Sequence, residues 1–151
     1  MIDHGERARE LFLKGYNCAQ AVACAFCDVT GLSMAQSARM ASSFGGGLGR
    51  LREVCGTVSG ACLVLGIARG YADPGDYAAK KAHYATVQDF ARRFREANGA
   101  IVCRELLEGV EVAPGGVPEE RTAEYYKKRP CPGLAYSAAK LLEEMLEGEQ
   151  V

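Results

Sequence analysis

The chain has 151 residues, with 18 basic and 19 acidic side chains for a net charge of −1, seven cysteines and no tryptophan. That length suits one domain, residues 1–151, with a core of its own, and the charge balance argues against a nucleic-acid or anionic-membrane binder. Met1 to Gly15 carries charge along its length and does not read as a secretory leader, and no run nears the roughly 20 apolar residues of a membrane span. A cytoplasmic location is expected, where seven thiols point to metal or redox chemistry before disulfides.

Residues 3–14 read as a first helix, with Ala8, Leu11 and Phe12 on one side and Gly15 as its stop. Asn17 caps a second from Cys18 to about Asp28, closed near Gly31. Ser33 and Gln36 make a capping box for a third, through roughly Phe44. Next comes FGGGLGRLREVCGTVSGAC, Phe44 to Cys62, with six glycines whose backbone can approach a neighbour closely. Val58 to Ala68 reads as a buried helix in which Gly60 and Gly66 admit neighbours. Asp73-Pro74 reads as the cap and first residue of the longest helix, to about Asn98, with Tyr77, Tyr84, Val87, Phe90, Ala91 and Phe94 as its apolar stripe. A short helix at Ile101–Leu107, a loop at Gly109–Pro118, a charged helix at Glu119–Lys128 and a last helix at Leu134–Glu147 follow. The last buries Leu141, Leu142, Met145 and Leu146. No stretch alternates like a strand. The expected class is all-α, a single compact bundle of about six to eight helices with a glycine-rich loop.

The thiols divide into two groups. Cys24 and Cys27 have C-x-x-C spacing but fall inside a helical pattern with no strand before them, so they are expected to pack. Nine residues separate Cys18 from Cys27, which puts them on opposite sides of an unbroken helix. Cys62, between Ala61 and Leu63, is expected as buried filler. Cys18, Cys55, Cys103 and Cys131 instead stand at or near expected element starts, where unpaired N–H groups and the positive dipole end favour a thiolate. Four thiolates complete the shell of zinc or of an iron–sulfur cluster, and their wide intervals match no local zinc ribbon.

Other features read more plainly. His4 near a terminus expected to fray and His83 on the long helix leave no histidine-rich site. Arg50, Arg52 and Glu53 beside the glycines read as solvated, and so does the helix end Tyr125–Arg129. The glycines at 45–49 lack the patterns of phosphate loops. They leave open either a nest of N–H groups favouring anionic sulfur or a tight helix crossing.

In these residues the chain resembles a family of small proteins labelled redox-active and named after the pattern C_GCAxxG_C_C. The matching segments are N-C-A-Q-A-V at Asn17–Val22, F-G-G-G at Phe44–Gly47 and C-G-T-V-S-G at Cys55–Gly60, with Cys103 before Arg104-Glu105-Leu106, and Cys131. Thr57 departs from the pattern's alanine and could add a hydroxyl near the site. The chain is also similar to part of the split-Soret cytochromes, in which such cysteines are associated with iron–sulfur binding; C-x-x-C-H is absent, so no haem is implied.

The resemblance implies a redox or electron-transfer protein in which Cys18, Cys55, Cys103 and Cys131 hold an iron–sulfur cluster. Gly45, Gly46, Gly47, Gly56 and Gly60 would approach it. Two alternatives use the same cysteines: in pairs, as a thiol–disulfide oxidoreductase, or around zinc in an interaction module. A redox partner protein is implied without being identified, nucleic acid and membrane insertion are not, and the alanine-rich helices are compatible with a homodimer.

Overall fold

A computed structural model describes residues 2–148. Side chains that accept unpaired first-turn N–H groups set several helix starts. Asp3 caps α1 (His4–Leu13), and Asn17 and Gln20 form a capping box at α2 (Cys18–Ala25). The expected unbroken helix from Cys18 to Asp28 ends at Phe26, and a four-residue turn, α3 (Cys27–Thr30), closes at Gly31 with φ 75°. The expected box of Ser33 and Gln36 opens α4 (Met34–Ala41), and a 3₁₀ turn covers Ser42–Phe44. Beyond the glycine-rich loop come α5 (Gly56–Arg69), α6 (Tyr77–Asn98), α7 (Cys103–Leu106), α8 (Ala123–Lys128) and α9 (Cys131–Gly148). These are nine α-helices and no strand among the described residues, with one isolated antiparallel bridge, Val54 to Val102. The fold is all-α, as its sequence implies.

The centre of the bundle is α2, which packs on α1, α4, α5 and α9. Its four alanines are buried, so the surrounding helices come close to its axis. At Gly60 of α5 a Cβ would meet the Ala19 carbonyl oxygen at 2.5 Å, whereas Gly66 has no neighbour to admit. Phe12, Phe26, Phe90 and Phe94 are fully buried, each worth roughly 1.5–3 kcal/mol.

Three further expectations change. Asp76, not Asp73, caps α6: Asp76 accepts the Ala79 N–H at 3.0 Å, while Asp73 accepts that of Gly75 and is used in a turn. Of the apolar stripe on α6 only Phe90 and Phe94 are buried; Tyr77 and Tyr84 are 75% and 51% exposed, because the neighbours of α6 cover its later turns. His4 is no fraying end. Its ring is buried, stacks on Phe26 at 4.2 Å and sits between Asp28 and Glu143, tying α1 to α3 and α9.

Candidate functional site

Four cysteines stand at the heads of four helices. Cys18, Cys103 and Cys131 are the first residues of α2, α7 and α9, and Cys55 is the residue before α5. All four line one cavity of about 60 Å³. Phe12, Leu134 and Tyr125 wall it with apolar surface, and Arg52, Arg121 and Arg129 bring positive charge to it. The heads of α5 and α7 are joined by backbone: the Cys55 N–H donates to the Ile101 carbonyl at 2.8 Å and the Cys103 N–H to that of Glu53 at 2.6 Å, on either side of the Val54–Val102 bridge. This short ladder had no strand-like signature in the sequence.

Burial dominates at Cys18, Cys55 and Cys131. It pushes Cys55 and Cys131 up to about 12 and raises Cys18 as well, and the neighbouring thiols add to the effect in each case. The N–H groups of Gly46, Ala19 and Cys18 itself act the other way on Cys18 without prevailing. At Cys18, Cys55 and Cys131 dehydration of buried sulfur therefore outweighs the helix starts expected to favour a thiolate.

The glycine-rich loop is neither a plain crossing nor a simple nest. Residues 46–50 all have positive φ, between 53° and 72°, and Arg52 follows at 62°. It is a left-handed turn, closed by Gly49 N–H to the Ser43 carbonyl and Glu53 N–H to the Gly47 carbonyl. Leu48, Arg50 and Arg52 hold this geometry with side chains, at about 1–2 kcal/mol each. Gly46 lines the cavity, and a Cβ at Gly47 would lie 2.7 Å from that of Cys103. A Cβ at Gly56 would collide with Cys18 Sγ. Gly45 and Gly60 instead face Asn17 and Ala19.

Polar groups surround the sulfurs. The Thr57 hydroxyl, fully buried, lies 3.1 Å from Cys55 Sγ, and Arg52 Nη1 lies 3.6 Å from Cys103 Sγ. Two charges expected to be solvated are not. Arg50 donates to the carbonyls of Ala113, Gly115 and Val117 with its side chain 8% exposed, and buried Arg129 pairs with Glu119. Arg121 went unremarked in the sequence, which carries no local signal for it. It donates to the carbonyls of Phe12 and Tyr16 and stacks over the Phe12 ring at 4.2 Å.

The other thiols lie outside the cavity. Cys24 Sγ meets the Met34 carbonyl at 3.7 Å, and Cys27 Sγ lies near Met34 Sδ and the Ser37 hydroxyl. Cys62 packs against the core from α5.

Among the described residues no three Cys, His, Asp or Glu side chains are spaced to hold a single metal ion. Four soft thiols around one pocket, with Cys18, Cys55 and Cys131 penalised as isolated anions, nevertheless fit the donor chemistry of an iron–sulfur cluster, whose cysteines are shared among more than one iron.

Residues 16–145 match the family described as "Putative redox-active protein (C_GCAxxG_C_C)". The chain belongs to that family. No curated protein and no solved structure matches it. The cysteine-bearing helix heads and the glycine loop all fall inside the segment matched to the C_GCAxxG_C_C family. No helix among the described residues is long and apolar enough to cross a membrane.

Proposed function

We propose that this is a small electron-transfer protein whose Cys18, Cys55, Cys103 and Cys131 hold an iron–sulfur cluster. One observation carries the reading: four thiols remote in sequence border a single cavity. The family description supports the broader redox role.

When bound, a cluster supplies one-electron transfer. The chain's residues would tune and shelter it. The Gly46 N–H, the Thr57 hydroxyl and Arg52 would donate toward the sulfurs of Cys18, Cys55 and Cys103, and Phe12 and Leu134 would limit water. Gly47 and Gly56 would let the backbone come close. In this reading the protein works in the cytoplasm with a redox partner protein.

Anaerobic purification with iron and labile-sulfide analysis tests the proposal. A brown protein containing both, and a Cys55→Ser variant lacking them, is expected. A colourless protein without iron or sulfide, whose titratable thiols change by two or four between oxidised and reduced samples, would replace it with thiol–disulfide exchange.

A further inference from the structure

Beside the thiol cavity lies a second, of about 240 Å³, which shares Asn17, Gly46, Arg52, Arg121, Tyr125 and Arg129 with it. Arg50 also lines this chamber, so four guanidinium groups border it against a single carboxylate, that of Glu119. In a chain with a net charge of −1 this is a local surplus of positive charge.

The arginines are also held in place. Carbonyl oxygens fix Arg50 and Arg121, and Tyr125 lies under Arg129 at 4.8 Å. Carbonyls orient a guanidinium without cancelling its charge. The side chains of Arg50 and Arg129 are 8% and 4% exposed, and both meet the same Glu119. Arg52 stands where the two cavities join; its guanidinium meets Cys103 Sγ and has no carboxylate partner among the described residues. Buried like charges on a fixed frame are costly unless an anion joins them, and forked donors suit an oxyanion.

We propose that this chamber binds a small molecule through a carboxylate or phosphate group and holds it beside the thiols. As the substrate chamber of a redox centre this inference rests on the function proposed above; anion binding itself does not require a metal.

Calorimetric titration of the full chain with inorganic phosphate, and separately with succinate, at constant ionic strength distinguishes the two oxyanions. It is run on protein purified anaerobically and again on metal-free, reduced protein. One saturable site is expected for at least one anion in both preparations. Arg52→Gln should weaken it roughly tenfold or more, Arg52→Lys less so, and Arg39→Gln, on the exposed face of α4, not at all. Absence of saturable binding by both anions would overturn the chamber, as would equal affinities in Arg52→Gln and Arg39→Gln. Binding confined to the metal-loaded protein would overturn it too, since the arginines would then serve only the centre. Iron without anion binding defeats the chamber alone, and anion binding without iron defeats the cluster alone.

Discussion

At the scale of single residues, the site depends on positions where one atom decides the fit. Gly56 faces Cys18 Sγ and the Phe44 carbonyl, the latter 2.7 Å from where a Cβ would be. The Phe44 carbonyl is backbone, and Cys18 opens α2 within its capping box, so neither contact is relieved easily. Gly56→Ala should therefore cost about 1–3 kcal/mol in urea unfolding, while Gly66→Ala, with open space around it, should be neutral or stabilising. Thr57 shows the opposite case, a side chain whose hydroxyl matters more than its volume. That hydroxyl lowers Cys55 against the larger effect of burial. Replacing it in Thr57→Val moves the Cys55 thiol further up and leaves less thiolate at any given pH. In metal-free protein, alkylation of the Cys55 peptide followed by mass spectrometry at pH 9 should slow, with little change in stability.

Among elements, what could be read from sequence was what local chemistry decides. Asn17 with Gln20 and Ser33 with Gln36 announce helix starts because the cap and its partner lie within one turn. Cys18 at a helix head was legible for the same reason, whereas Cys55, Cys103 and Cys131 were placed near element starts by adjacent glycine and proline, α5 and α7 having no side-chain cap. Asp73 and Asp76 offered two caps three residues apart, and only the turn through Gly75 decides between them. Arg50 and Arg129 were misread because their burial comes from the 113–119 segment and Glu119, contacts that no local pattern encodes. The ladder joining α5 and α7 was illegible too, being a single bridge between distant residues. Arg50 is thus the staple between the glycine loop and the 113–117 loop. Arg50→Ala should leave the helical core intact by circular dichroism while speeding limited proteolysis between residues 109 and 121. Unchanged cleavage would mean that the loop is held by other contacts.

For the molecule as a whole, burying so many thiols ties stability to alkaline pH. Cys24 and Cys62 are pushed up to about 11, and Cys55 and Cys131 to about 12, in each case chiefly by burial. In the unfolded chain a thiol releases its proton near the model-peptide range, about 8.5. Below that pH both states hold the proton and the full stability is present. Between there and 11 or 12 the unfolded chain has lost protons that the folded one keeps, so stability falls as pH rises, by at most about 1.4 kcal/mol per pH unit for each such thiol. Urea unfolding of metal-free protein from pH 8 to 11 should show this decline. Cys62→Ala, outside the cavity, should make it shallower, because tyrosine and lysine ionisation is common to both proteins and cancels in the comparison. If the four cavity thiols carry metal as thiolates, the share of Cys55 and Cys131 in the alkaline loss disappears, and the loaded protein should decline less steeply than the metal-free one. Identical slopes for the two preparations would mean that the cavity thiols remain protonated in both, which no cluster ligand can be.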